Sequence, residues 1–134
     1  MTVGRQEVLV HVRRGDEFLV ARRAVEGYWH VVSGGVEPGE EPRAAAAREL
    51  LEETGLRAES LREIGGFDYT REQWESDPGM RCSVLAYVTD APPGWEPRLD
   101  DEHDDYRWCG ADDACALLFW PEPRNLLRTA VETA

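Results

Sequence analysis

The sequence contains no lysine, so all 15 of its fixed cationic side chains are arginines. Its 27 acidic residues outnumber them and give a formal net charge of −12. This acidic balance argues against a protein that binds a nucleic-acid backbone or an anionic membrane surface. Every fixed positive contact to a phosphate group must come from arginine, whose planar side chain can bind two phosphate oxygens at once.

Cysteine is also scarce. Cys82, Cys109 and Cys115 are odd in number and show no C-x-x-C spacing. The sequence therefore predicts free thiols in a reducing compartment, and neither a disulfide framework nor a zinc site. No apolar segment approaches the length that spans a bilayer, and the N-terminus does not resemble a signal peptide. We therefore expect a cytoplasmic protein.

Internal repeats, low-complexity segments and linkers are absent, and 134 residues suit a single domain over 1–134. Apolar runs on both sides of Arg14-Gly15-Asp16 predict a β-hairpin. Further strands are predicted at 29–32, 61–69, 82–89 and 106–109, helices at 42–54, 112–118 and 123–132, and a mobile loop at 70–79. Strands with helices on both sides indicate an α/β fold, a three-layer α/β/α sandwich around a mixed sheet.

Residues 34–56 are the most informative segment. They have the form G-x5-E-x7-R-E-U-x-E-E-x-G-U, where U is a bulky apolar residue. Glu49, Glu52 and Glu53 lie at i, i+3 and i+4, so they share one face of the predicted helix. Such a carboxylate cluster is costly unless divalent cations bind to it. Ligand sets made only of oxygen suit Mg²⁺ or Mn²⁺.

The neighbouring residues predict how this cluster is held. Arg48 can bind one carboxylate by a charge-assisted pair and so orient the others. The turn-forming segments Ser33-Gly34-Gly35 and Pro38-Gly39 are expected to let the backbone approach phosphate or metal closely, and Gly55 is expected to end the helix. The face expected to pack on the sheet, roughly opposite the glutamates, comprises Ala44, Ala47, Leu50, Leu51 and Thr54.

The 34–56 pattern resembles the Nudix box, the signature of hydrolases that cut a nucleoside diphosphate linked to another group. The resemblance covers the whole chain and implies the same sandwich fold. It implies that Glu49, Glu52 and Glu53 bind Mg²⁺, with Mn²⁺ as a substitute, and that Arg48 takes part in catalysis by orienting them. Glu40 is expected to support the cluster without binding metal.

The segment Glu102-His103-Asp104-Asp105-Tyr106-Arg107-Trp108 resembles the part of several Nudix enzymes that brings one more glutamate to the metal from a loop. Glu102 is therefore a candidate metal ligand. The alternative is that residues 100–105 form a solvated acidic loop. The general base is left open between Glu52 and Glu102, and His103 is expected to be structural.

The order Arg22-Arg23, Tyr28-Trp29, Ser33-Gly34, box, Glu102-His103 and Tyr-x-Trp resembles bacterial pyrophosphohydrolases that act on dihydroneopterin triphosphate and dATP. This resemblance implies substrate contacts by Arg22 and by the Ser33-Gly34 segment, with Arg5 as a further candidate. A solvated strand end is the alternative for Arg22. Trp29, Tyr69 and Trp74 are candidates for stacking on a base or, alternatively, packing residues.

These patterns together predict a nucleoside triphosphate pyrophosphohydrolase that releases a monophosphate and pyrophosphate, as a monomer or homodimer. A diadenosine polyphosphate hydrolase is less favoured, because Val32-Ser33-Gly34 replaces the Pro-Lys-Gly usual in that subgroup. An ADP-ribose hydrolase is also less favoured, because no proline lies near residues 71–73. A non-catalytic nucleotide-binding module remains as another alternative, although all the box glutamates are present.

Overall fold

A computed structural model of the chain describes residues 4–134. In chain order the elements are β1 (Arg5–Arg14), β2 (Glu17–Arg23), β3 (Trp29–His30), β4 (Val32–Gly35), α1 (Pro42–Thr54), β5 (Arg62–Thr70), β6 (Arg81–Asp90), β7 (His103–Gly110), α2 (Ala111–Leu117) and α3 (Pro121–Glu132).

The strands form one sheet built around β1. Its main order is β3-β2-β1-β6-β5, with β4 also paired to β1 and β7 paired to β2. The β1–β6 pair is parallel and the other pairs are antiparallel. The β1–β2 hairpin turns at Gly15, as predicted. The expectation of a mixed sheet is confirmed.

The two faces of the sheet bury separate apolar cores because successive strand residues point to opposite faces. Leu9 of β1 belongs to a core that includes Leu127 of α3. Its neighbours Val8 and Val10 belong to a core with Leu50 of α1. Helices therefore cover both faces, and the predicted α/β/α sandwich is confirmed.

The predicted helix at 42–54 is confirmed as α1, and Gly55 ends it in the left-handed conformation at φ 82°. The predicted packing face was partly wrong. The buried residues of α1 are Ala45, Ala46, Leu50, Glu53 and Thr54.

The buried stripe of α1 is rotated toward the glutamates. Ala44 and Leu51 are exposed, whereas Glu53 lies within the stripe. Since a helix turns once every 3.6 residues, a stripe that runs through Ala46, Leu50 and Glu53 leaves Leu51 facing solvent. Spacing alone did not show which edge of the glutamate face the sheet would cover.

The expectation that Ser33, Gly34 and Gly35 form a turn is wrong. They belong to strand β4 and pair with β1. Glycine is needed for close approach by side chains: a Cβ on Gly34 would overlap the Glu49 carboxyl group, and one on Gly35 would overlap the Arg5 guanidinium group. The turn expected at Pro38-Gly39 is confirmed, with Gly39 at φ 78°.

Three further segments refine the sequence-based boundaries. Strand β7 begins at His103, three residues before the predicted start at 106. Helix α3 begins at Pro121, since proline suits the first turn of a helix. The loop between β5 and β6 is folded back on itself, with hydrogen bonds from Arg71 N to Met80 O and from Gly79 N to Arg71 O. Its mobility stays a prediction.

The cysteines are free thiols, as predicted. Among residues 4–134, the helices include none that is long and apolar enough to cross a membrane.

Candidate active site

Arg48 is the centre of the carboxylate cluster. Its Nε and Nη2 atoms donate to the two oxygens of Glu40, each at 2.9 Å, and Nη1 donates to Glu49 at 2.9 Å. Nη2 also donates to the backbone oxygen of Gly35 in β4. Arg48 therefore ties the helix to the strand and to two box carboxylates.

Glu40 does not project from α1. Arg48 binds it through both oxygens, and one of those oxygens also accepts from the backbone N–H of Glu37. These hydrogen bonds lower the pKa of Glu40 to about 2. A carboxylate committed in this way suits a supporting role, as expected from the sequence.

The three glutamates on α1 lie in different environments. The side chains of Glu53 and Glu49 are 5% and 14% exposed, whereas that of Glu52 is 56% exposed. Glu49 is fixed between Arg48 and the backbone of Gly34. Glu52 has a longer contact of 3.6 Å to Arg48. Two carboxylates are therefore held in place and one is free to rotate.

Burial raises the pKa of Glu53 well above its ordinary value, and the adjacent Glu49 carboxyl group raises it further. Negative charge on Asp100 and Glu102 acts in the same direction. A buried carboxyl group among other carboxyl groups is unfavourable in its ionised form unless a cation compensates it. Glu53 thus identifies the place in the cluster where positive charge is most needed.

The donor set fits a hard divalent cation because it consists of carboxylate oxygens. As they stand, however, residues 4–134 contain no group of three or more histidine, cysteine, aspartate or glutamate side chains close enough to hold a metal ion. Glu49 and Glu53 are adjacent, whereas Glu52 and Glu102 are turned toward arginines. Assembly of the predicted four-glutamate site requires rotation of these two exposed side chains.

Glu102 lies on the loop that precedes β7, and its side chain is 63% exposed. It contacts Arg23 at 3.3 Å, and its backbone N–H donates to Asp100. Its backbone oxygen accepts from Ala24 N, which ties this loop to the end of β2. The loop is solvated, as in the alternative interpretation, but it is also anchored beside the box helix.

A cavity of about 450 Å³ opens next to this cluster. Ser33, Gly34 and Glu102 line its near side, and Gly34 separates it from the Glu49 carboxyl group. Arg5 also lines the cavity. The structure thus brings three of the predicted substrate-binding residues, Arg5, Ser33 and Gly34, to one wall.

Arg22 lies elsewhere. Its guanidinium group binds both oxygens of Asp104 at 2.8 Å, and Arg22 is not part of the cavity wall. Arg23 lines the cavity in its place, because adjacent residues of a strand point to opposite faces. Arg23 contacts Glu26 and Glu102, each at 3.3 Å.

The cavity wall also carries an internal charge network that the sequence did not predict. Glu7 accepts from the Tyr69 hydroxyl at 2.6 Å and from Arg71 at 3.1 Å, and it also pairs with Arg5 at 2.9 Å. These four residues come from β1, β5 and the loop after β5. Because none of them forms a local motif, only the tertiary fold identifies them.

An aromatic cluster forms the outer end of the cavity. Tyr28, Trp74 and Trp120 line it. Trp74 stacks on Trp120 with ring centroids 5.6 Å apart, and Tyr28 stacks on Phe119 at 4.9 Å. Trp29, another candidate for base stacking, is absent from this wall and lies under Arg107 instead.

His30 lines the cavity close to Tyr28, with ring centroids 6.1 Å apart. Its Nδ1 atom is buried and has no hydrogen-bond partner in the described part of the chain. Burial, together with the charge of Arg23, lowers the pKa of His30 to about 3. The cavity therefore contains a neutral imidazole with an unused polar atom.

Comparison with known proteins gives relatives that carry several names. The asymmetrical bis(5'-nucleosyl)-tetraphosphatase of Mus musculus is 37% identical over 118 residues, which cover 84% of this chain and 76% of that protein. The octanoyltransferase of Myxococcus xanthus is 36% identical over 127 residues. That match covers 90% of this chain but 33% of the relative, so the chain spans about a third of its length.

Among solved structures, the E. coli dihydroneopterin triphosphate pyrophosphohydrolase aligns with a TM-score of 0.85. The alignment covers 99% of this chain and 100% of that chain at 22% identity, which shows a shared fold. The NUDIX domain family model matches residues 4–130. Because this match spans nearly the whole chain and the mouse relative shares more than a third of the aligned residues, we conclude that the chain belongs to the Nudix hydrolase family.

Proposed function

We propose that this chain is a Mg²⁺-dependent pyrophosphohydrolase of nucleoside triphosphates, with dATP-like or dihydroneopterin triphosphate substrates, that releases a monophosphate and pyrophosphate. The observation that carries the proposal is one continuous cavity lined by two chemically different groups of residues. Arg5, Arg23 and the Ser33-Gly34 segment form a cationic and polar part of the wall, and Tyr28, Trp74 and Trp120 form its aromatic end. A triphosphate joined to a flat heterocycle offers a partner to each group.

Nudix hydrolases generally use divalent cations such as Mg²⁺ and act on small nucleotide substrates. Here Glu49 and Glu53 would hold the cation from the helix, and Glu52 and Glu102 would join them by rotating away from their arginines. A bound cation supplies charge neutralisation for the phosphates and polarises a water molecule. Arg48 keeps Glu49 oriented and withholds Glu40 from the cation.

The arginines of the cavity are the candidates for phosphate binding. Arg23 is paired with Glu26 and Glu102 through long contacts of 3.3 Å, so a phosphate group can compete for its guanidinium group. Arg5 is partly exposed and shares Glu7 with Arg71. Charge-assisted bonds from arginine to phosphate are among the stronger hydrogen bonds in proteins. This wall favours Arg23 over Arg22 as the phosphate contact at the end of β2.

The base has a place at the aromatic end. A heterocycle that enters beside Trp74 and Trp120 would stack on their rings, with Tyr28 at its edge.

The proton of the attacking water needs an accepting carboxylate near the phosphates. Glu52 and Glu102 both remain candidates, because both side chains are exposed and belong to the predicted ligand set. General-base catalysis requires such a group within hydrogen-bond reach of the water. Glu53 is less suited, since it is buried and is needed as a ligand.

The test is product analysis on a substrate panel. The chain is incubated with Mg²⁺ and dATP, other nucleoside triphosphates, dihydroneopterin triphosphate, diadenosine tetraphosphate or ADP-ribose. Monophosphate, pyrophosphate and orthophosphate are each quantified. We expect equal amounts of monophosphate and pyrophosphate from at least one triphosphate, and a rate lowered about 10³-fold in Glu53→Gln, which controls for contaminating phosphatases. Orthophosphate as the first product would contradict the proposal.

A dinucleoside polyphosphate substrate is the second candidate, because the relative from Mus musculus bears the name of a bis(5'-nucleosyl)-tetraphosphatase. The same panel separates the two candidates. Faster turnover of diadenosine tetraphosphate than of every triphosphate, with a triphosphate and a monophosphate as products, would favour this alternative. Membership in the Nudix hydrolase family does not depend on the result.

A further inference from the structure

His103 is the first residue of β7, and its side chain is 2% exposed. It lies between two carboxyl groups. Its Nδ1 atom is 2.9 Å from Oδ1 of Asp100, and its Nε2 atom is 3.8 Å from Oε1 of Glu53. A buried imidazole is thus hydrogen-bonded to the loop before β7 and lies beside the buried glutamate of the box helix, slightly beyond hydrogen-bond distance.

Asp100 fixes this imidazole and the adjacent loop together. The Oδ1 atom that contacts His103 also accepts from the backbone N–H of Glu102 at 3.2 Å. His103 is further held by its pairing with Arg23, where β2 and β7 change register. The arrangement therefore sets the position of the ring and of the backbone that carries Glu102.

The Nε2 edge of the His103 ring faces Glu53, the buried glutamate of the proposed metal site. Glu53 is nearly fully buried, and its carboxyl group has Glu49 on one side and His103 on the other. Carboxylates that bind metal are themselves oriented by neighbouring polar groups, whose loss typically costs about 10- to 100-fold in metal affinity. An apolar packing residue would fill the same space without this polar edge.

We propose that His103, held by Asp100, is a positioning residue that orients the Glu53 carboxylate toward the divalent cation. This inference rests on the proposed function, in which Glu53 is a metal ligand. It assigns a role in the site to His103, which directly follows the predicted metal ligand Glu102 in the chain.

The test is Mn²⁺ binding to the full chain without substrate, measured by electron paramagnetic resonance or calorimetry. Two substitutions separate the nitrogens of the ring. Glutamine places an amide near the Nε2 position, which faces Glu53, whereas asparagine places one near the Nδ1 position, which faces Asp100. We expect His103→Asn to weaken Mn²⁺ binding about 10- to 100-fold. We expect His103→Gln to restore most of it.

Control variants test whether the loss of Mn²⁺ binding is specific to the His103 side chain. Asp101→Asn changes an exposed neighbouring charge and should bind Mn²⁺ normally. If His103→Asn does not fold, as judged by thermal unfolding, His103→Leu keeps an apolar side chain of similar size and should show the same loss of binding. Normal Mn²⁺ affinity in a folded asparagine or leucine variant, or equal losses with asparagine and glutamine, would overturn the proposal.

Glu53→Gln measured in parallel separates this proposal from the one on which it rests. If Glu53→Gln binds Mn²⁺ normally, the metal site itself is misassigned and both proposals fail. If it loses binding while the His103 variants do not, the metal site stands and only the positioning role fails.

Discussion

The box helix and the cavity wall pair arginine and glutamate in opposite ways. Around α1, Arg48 contacts four carboxylates, those of Glu37, Glu40, Glu49 and Glu52. In the cavity wall, one carboxylate, that of Glu7, is shared by two arginines, Arg5 and Arg71. The first region therefore has excess negative charge, whereas the second has arginines whose partners can be exchanged.

This difference predicts that substitutions in the two regions affect different kinetic parameters. A region with excess carboxylates attracts a cation, so changes there should act on turnover. A region with arginines in shared or long ion pairs attracts an anion, so changes there should act on substrate binding. Mutant kinetics distinguish the two, because lost uniform binding raises KM, whereas a lost transition-state interaction lowers kcat.

The largest effect, on kcat, is expected from substitutions of the carboxylates around α1. Glu49→Gln and Glu53→Gln should each lower kcat by about 10³-fold, the size seen when one preorganised electrostatic contact to a transition state is removed. Chelation should abolish activity, and added Mg²⁺ or Mn²⁺ should restore it. Steady-state kinetics with Glu59→Gln, an exposed glutamate beyond the helix, provide the control. A near-normal kcat in either variant would mean that the helix face is misassigned.

The next effect concerns the loop that lies between the two regions. Glu102→Gln should lower kcat about 10²-fold if Glu102 serves as base or ligand, a loss in the range known for general bases. Asp101→Asn is the matched control, because Asp101 is exposed and adjacent. Asp100→Asn is unsuitable as a control, since Asp100 contacts His103 and the Glu102 backbone. Equal small losses at positions 101 and 102 would support the solvated-loop alternative.

The two regions also differ in how far the sequence predicted them. The box residues lie close together in the chain, so helical spacing was enough to place Arg48 beside the glutamates and to end α1 at Gly55. Spacing could not show that Glu53 would be buried, because that depends on how α1 is rotated against the sheet. Burial of a carboxyl group contradicts hydrophobic patterning, and here it marks the candidate site.

The cavity wall could not be predicted in the same way. Glu7, Tyr69 and Arg71 meet only after β1, β5 and the following loop are placed side by side. The choice between Arg22 and Arg23 depends on strand register, because a shift by one residue exchanges the two faces. Arg22 and Arg23 are adjacent in the sequence, and the register of the β2–β7 pair changes between them.

The choice between Arg23 and Arg22 predicts a smaller effect, on KM. Arg23→Ala should raise KM for a triphosphate by about tenfold, close to the loss of one hydrogen bond to a charged group. Its kcat should change much less. Arg22→Ala removes the same charge from the opposite face, where it breaks only the pair with Asp104, and should leave KM within about twofold. The reverse order of the two effects would restore Arg22 as the phosphate contact.

The smallest effect tests whether the aromatic end of the cavity binds a base. Trp74 is exposed on the loop between β5 and β6 and stacks on Trp120. If the base of the substrate stacks beside these rings, Trp74→Ala should raise KM by about fivefold, near the lower end of the range for stacking of a base on an aromatic side chain. Its kcat should be unchanged, because the α1 carboxylates are not involved.

Trp74→Phe is the matched variant, since it keeps an aromatic face and should lose less than half as much binding free energy. Quenching of tryptophan fluorescence by a non-hydrolysed nucleotide gives a second measurement, and the part of the signal that belongs to Trp74 should disappear in Trp74→Ala. Inorganic triphosphate, which has no base, should bind equally to the wild-type chain and to both variants. If Trp74→Ala weakened binding of inorganic triphosphate as much as that of the nucleotide, the loop would act on the phosphates, and the aromatic end would lose its assignment as the site of the base.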